Sequence, residues 1–159
     1  MSKVIVIYDS KTGFTEAMAN IIVEGVNSVS GVSAESHKVG SPFSISTITK
    51  ADAIIVGSPT RYGSVTQEMR AFLDSLRDSI DSKHISVLGK IGGAFGSYEW
   101  DGGWVVEKIT AELEKLGIGV VAAISLADGL SSRQHTGFDE TYRKQCYNLG
   151  KTVAEKLAS

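Results

Sequence analysis

The chain has 159 residues, 42% of them hydrophobic, with a formal net charge of −2 and a sequence pI of about 5.9. That size suits one domain with a real core, and that charge excludes the basic footprint of a nucleic-acid binder. A single cysteine, Cys146, leaves no internal disulfide and no cysteine-based metal site; no apolar run spans a bilayer, and "MSKVIVIYDS" lacks a signal-peptide pattern, so a cytoplasmic domain is expected.

Short apolar runs alternate with helical patterns along the chain. "KVIVIY" (3–8) is too continuous for a half-exposed strand and predicts a buried one. Residues 13–29 place Met18, Ile22, Val26 and Val29 on one helical face. "SAESHKV" (33–39) alternates like an edge strand, and "ADAIIVGSP" (51–59) is a second buried strand, ended by a proline. The next helix, 65–80, carries Val65, Met69, Phe72, Leu73, Leu76 and Ile80. "KIGGAFGS" (90–97) is a third central strand, followed by a helix over 103–116 and a last strand, "GIGVVAAIS" (117–125). A closing helix aligns Tyr142, Cys146, Leu149, Val153 and Leu157, which makes Cys146 a small buried hydrophobe. Residues 125–137 read as an ordinary polar loop. This alternation predicts one α/β domain over 1–159: a doubly wound, five-stranded parallel sheet of order 2-1-3-4-5 with helices on both faces.

In such sheets ligands bind beyond the carboxyl ends of the strands, where strand order reverses. That rule nominates three loops. "DSKTGFTE" leads from strand to helix with Ser10, Thr12 and Thr15 around Gly13, donors that suit a phosphate and equally suit plain helix capping. It lacks the spacing of a nucleotide P-loop and of the dinucleotide turn. "SPTRYGS" sets Thr60, Arg61 and Tyr62 before Gly63, then opens a helix through a capping pattern at Ser64 and Gln67. In "FGSYEWDGGW", Tyr98 and Trp100 are candidates to stack on a flat ring, and Gly96, Gly102 and Gly103 permit close backbone approach. Asp101 suits the N-cap of the following helix, and Trp104 reads as packing. Together the loops ask for a ligand with a phosphate at one end and a planar ring at the other.

These stretches resemble the flavodoxin family. "YDSKTGFTEAMA" is similar to its phosphate-binding loop and "GSPTRYGS" to its ring-contacting loop. "FGSYEWDGGW" is similar to the third loop of short-chain flavodoxins and of the flavodoxin domains in flavodiiron proteins. "SPTRYGSVTQEMRAFLD" also resembles NAD(P)H:quinone oxidoreductases of the tryptophan-repressor-binding-protein type, which are usually longer. The resemblance implies one non-covalent FMN, its phosphate on Ser10, Lys11, Thr12, Gly13, Phe14 and Thr15. It places the ring among Ser58, Pro59, Thr60, Arg61, Tyr62 and Gly63 and the stretch Gly96, Ser97, Tyr98, Glu99, Trp100, Asp101, Gly102 and Gly103. In the family a peptide of the second loop reorients toward the ring on reduction, a role that falls to Tyr62–Gly63. Two departures stand out: the net charge is small for the family, and Arg61 adds a cation in the ring loop.

The function implied is a low-potential electron carrier working between redox enzymes, with protein donors and acceptors, no membrane partner, and a monomer or weak homo-oligomer as its state. The alternative is an FMN-dependent NAD(P)H:quinone oxidoreductase; a non-redox phosphate-binding domain on the same fold is a third reading. No nucleophile elbow, paired histidine or zinc-protease motif occurs, so no catalytic acid, base or nucleophile and no metal site is expected. Of the scattered histidines, His37 is placed on the edge strand, His84 on a surface connection and His135 in the loop after the last strand.

Overall fold

The uninterrupted apolar runs become inner strands, because a parallel strand flanked by helices has no face to give to water. In the computed structural model, which describes residues 1–42, 44–99, 103–128 and 139–159, these are β1 (Ser2–Tyr8), β3 (Ala53–Pro59) and β4 (Ile91–Tyr98). β2 (Val32–Lys38) and β5 (Gly119–Ala127) form the edges of an all-parallel sheet of order β2-β1-β3-β4-β5, the order expected. The helices α1 (Phe14–Asn27), α2 (Ser46–Lys50), α3 (Gln67–Asp81), α4 (Val105–Lys115) and α5 (Glu140–Ala158) cover its two faces.

Strand alternation divides the core. Val4, Val6 and Tyr8 of β1 join Ile55 and Phe95 beneath α1 and α5, where Met18, Ile22, Leu149 and Val153 close the layer. Ile5 and Ile7 point the other way, toward Met69, Leu73, Ile109 and Leu113 of α3 and α4. Cys146 is fully buried in the first layer, and loss of solvation pushes its thiol up to about 12. A thiol reagent at pH 8 should therefore label the folded protein only as fast as it unfolds. Rapid labelling under native conditions would contradict that burial.

The element α2 is absent from the sequence reading. It is five residues long and buries one side chain, Ile48, too little for a periodicity to register. A distant residue completes it: Lys90 Nζ donates to the carbonyls of Thr49 and Ala51, at 3.0 and 2.5 Å, at the helix's C-terminal end. Cation and carbonyl dipole attract there.

Register brings the functional ends together. Tyr8 lies opposite Gly57, Pro59 opposite Ser97, and Tyr98 opposite Ala127, so the carboxyl ends of β1, β3, β4 and β5 share one rim. Among the described residues no helix is long and apolar enough to cross a membrane.

Candidate functional site

At the end of β1 the chain turns through Gly13, whose φ of 95° is left-handed, and enters α1 at Phe14. The first amides of a helix have no internal partner. Here two of them, Gly13 N and Glu16 N, converge on Ser10 Oγ at 3.2 Å each, at the long end of the N–H···O range. Thr12 Oγ1 donates to Asp128 Oδ2 at 3.0 Å, and Thr15 Oγ1 shares a hydrogen bond of 2.9 Å with Ser97 Oγ. The loop is thus tied to the ends of β4 and β5 through its hydroxyls.

Beneath it lies Asp9, only 2% exposed. Its carboxylate accepts from Ser10 N at 2.9 Å and from Thr66 Oγ1 at 2.5 Å, with Lys11 Nζ at 3.5 Å. Lys11 also meets Glu68 at 2.9 Å on the surface. That hydrogen bond is the main cause of the raised Lys11 ammonium and the lowered Glu68 carboxyl.

The second loop leaves β3 at Pro59. Thr60 is fastened to Ser97 O twice, by its amide at 3.0 Å and its hydroxyl at 2.8 Å. Ser58 is fully buried; its hydroxyl donates to Pro59 O at 2.8 Å and accepts from Thr66 N at 3.2 Å, so it shapes the loop from behind. Arg61 and Ser64 exchange backbone hydrogen bonds across a tight turn whose tip is Tyr62 and Gly63. The helix cap differs from expectation: α3 begins at Gln67 and is capped by Thr66, whose hydroxyl accepts from Met69 N at 3.2 Å. Ser64 closes the turn instead, because its backbone is committed to Arg61 two residues before the cap position.

In the third loop Gly96 and Ser97 are buried on β4, Tyr98 is half-buried at the strand end, and Glu99 is exposed. Trp100, Asp101 and Gly102 lie outside the described residues. Gly103 is buried and has a φ of 90°. A Cβ there would stand 2.3 Å from Ser125 Oγ and 2.9 Å from the Tyr98 ring, so only glycine lets the returning chain lie against that tyrosine. Ser125 Oγ donates to Gly103 O at 3.0 Å and holds the contact. Trp104 is the residue before α4 and is 63% exposed. The expectation that it packs inside the helix is corrected, since the inward positions go to Val105 and Val106. With Trp104 at the cap position, Asp101 is three residues too early to be the N-cap.

All three loops line one shallow cleft: Lys11 and Thr12 from the first, Pro59, Thr60 and Arg61 from the second, Ser97, Tyr98 and Glu99 from the third. Asp128 completes it from the end of β5. The sequence reading missed Asp128 by treating 125–137 as a plain loop, although it follows a strand at the same carboxyl rim. It missed Asp9 and Thr66 as well, which join the first two loops underneath. Phe14, half-buried, meets Tyr142 edge-to-face with ring centres 6.1 Å apart, so its side chain packs on α5. His135 lies outside the described residues; His37 is on β2 and His84 on the surface, away from the cleft. Roomier hollows exist elsewhere, one of about 540 Å³ between α3 and α4. It lies away from the carboxyl rim, and Arg70 in its wall is paired with Glu112 at 2.5 Å.

A family model described as "Flavodoxin" matches residues 6–145. A curated flavodoxin from Aquifex aeolicus is 30% identical over 99% of this chain and 88% of its own length. A solved flavodoxin from the domain Archaea superposes with a TM-score of 0.79 at 29% identity, covering 99% of each chain. An NAD(P)H dehydrogenase (quinone) from Chromohalobacter salexigens is 33% identical, but over 61% of this chain and 57% of its own.

Proposed function

The chain belongs to the flavodoxin family, and from that premise we propose that the cleft at the carboxyl rim holds FMN and that the protein passes its electrons between redox partners. The observation that carries this reading is the convergence of three loops, each with its own chemistry, on a single cleft. The donor set fits the cofactor at both ends. Gly13 N and Glu16 N both donate to the Ser10 hydroxyl, with no carboxylate bonded to either amide, and Thr12 and Thr15 stand in the same loop. They and the positive end of α1 suit a phosphate. At the other end Tyr98 and Arg61 offer a planar ring an aromatic wall and a cation.

FMN supplies the electron chemistry when bound; the chain binds it, orients it and tunes its surroundings. Lys11, Thr12, Gly13 and Phe14 with its flanking residues hold the phosphate. Tyr98 would cover the ring on one side, and the turn at Tyr62 and Gly63 would border it on the other. Glu99 and the buried Asp128 oppose accumulation of negative charge on the ring, which lowers its reduction potential, while Arg61 works in the other direction. The absence of a strongly acidic balance means that partner docking depends less on long-range steering.

The test is a paired titration of the apoprotein. FMN should bind about 100-fold more tightly than riboflavin, since two or more charge-assisted hydrogen bonds to a phosphate contribute roughly 3 kcal/mol or more. Equal affinity for the two would overturn the phosphate assignment. The partial match to a quinone dehydrogenase and the cation at Arg61 favour NAD(P)H:quinone reduction as the second reading. Rapid steady turnover of NADPH with a quinone would replace the carrier reading by that one.

A further inference from the structure

The turn that borders the cleft has an unusual backbone and an unusual support. Tyr62 and Gly63 both have positive φ, 53° and 76°. With Arg61 N donating to Ser64 O at 2.8 Å and Ser64 N to Arg61 O at 3.0 Å, this is the geometry of a type I′ turn. Glycine adopts it freely, whereas a tyrosine there is strained by its Cβ. The surroundings do little to hold it, because the Tyr62 side chain is fully exposed and nothing lies within 4 Å of where a Gly63 Cβ would be.

One group reaches the tip from elsewhere in the fold. Lys108 Nζ donates to Gly63 O at 2.5 Å across 45 residues of sequence. Its helix is well fixed, since Val105 and Ile109 are both fully buried in the core. Among the described residues Lys108 forms no ion pair, so the carbonyl is its partner and its charge is not cancelled by a bonded carboxylate. Arg61, at the base of the same turn, lines the cleft.

We infer that Lys108 is a positioning residue for the ring side of the site. It clamps the Gly63 carbonyl, steadies the Ser64 side of the strained tip, and brings a positive charge to the turn that borders the ring. This rests on the FMN reading above. The clamp reduces the ordering required when the ring binds, and the cation favours the more electron-rich, reduced ring over the oxidised one. Because the ammonium is exposed, solvent screens the second effect and keeps it modest.

The 159-residue chain tests this with two variants, Lys108→Met and Lys108→Arg. In Lys108→Met the FMN dissociation constant should rise about threefold to tenfold, the range of a partly screened charge-assisted bond. The reduced-to-oxidised ratio at a given potential should fall by about threefold, equivalent to about 30 mV at 59 mV per tenfold for one electron. Lys108→Arg keeps the charge and a donor and should restore both. Amide exchange in the apoprotein supplies a readout independent of the cofactor: Ser64 and Arg61 should exchange faster in Lys108→Met, with the core strands unchanged. A wild-type potential together with wild-type exchange in Lys108→Met overturns the proposal, and so does an arginine variant that restores neither property. If the parent protein binds no FMN, the functional reading fails, while the exchange measurement still decides the clamp.

Discussion

Gly150→Ala is expected to destabilise the protein by about 1–3 kcal/mol, although helix propensity by itself favours alanine by about 1 kcal/mol. Gly150 is buried in the middle of α5, where that helix lies against α1. A Cβ at this position would stand 2.1 Å from Ile22 O and 3.0 Å from Val26 N. Ordinary carbon–oxygen contacts are near 3.3 Å or longer, so the shortfall exceeds an ångström. Both neighbours are backbone atoms of α1, so no rotamer change relieves the overlap and the helices must separate. Gly25 is the reciprocal contact, its Cβ position 2.0 Å from Tyr147 O, and Gly25→Ala should change stability in the same direction. Urea denaturation of the apoprotein measures both variants. A midpoint equal to or above the parent's, at unchanged slope, would show that the helices separate without loss.

The second large effect lies under the site. Thr66→Val should cost about 2–4 kcal/mol, since one hydroxyl performs two tasks. It caps α3 by accepting from Met69 N, worth about 1 kcal/mol, and it donates to the buried carboxylate of Asp9. Removing the donor to a buried polar group costs roughly a further 1–3 kcal/mol. Lys11, at 3.5 Å, remains Asp9's distant partner but is shared with Glu68. Thr66→Ser keeps the hydroxyl and should recover most of the loss in denaturant melts, which separates the hydrogen bonds from the packing of the methyl group. A loss below about 0.5 kcal/mol in the valine variant would mean that neither bond contributes appreciably. Because Asp9 also fixes the start of the phosphate loop through Ser10 N, FMN affinity should fall together with stability.

Much of the fold was legible because it is encoded in neighbouring residues. "KVIVIY" and "AIIVGSP" are strands in any reading, since continuous apolar runs of that length between turn signals fit a strand covered on both faces. The same runs place the loops that follow them at the carboxyl rim. For that reason the sequence alone marks Thr12, Arg61 and Tyr98 as neighbours. The helix α2 was not legible, because five residues hold less than two turns of pattern and its cap comes from Lys90. Ser64 was a reasonable choice of cap from its spacing to Gln67. It lost to Thr66 because the Arg61–Ser64 bridge, a feature of turn geometry, occupies the backbone there. Trp104 looked like core because tryptophan is large and apolar, and helix phase turned it outward.

By itself the sequence determined the order of the strands and of the four longer helices, the parallel sheet, and which loops meet at its rim. These follow from periodicity and turn chemistry, which act within a few residues along the chain. Tertiary structure alone decided which groups support those loops. Thr12 meets Asp128 across 116 residues, Thr66 meets Asp9 across 57, and Lys108 meets Gly63 across 45. Gly25 and Gly150 likewise acquire their meaning only when α1 and α5 touch. Such pairs leave no local signature, because each partner satisfies ordinary propensities in its own segment. Only the packing of helices on the sheet sets the distance between them.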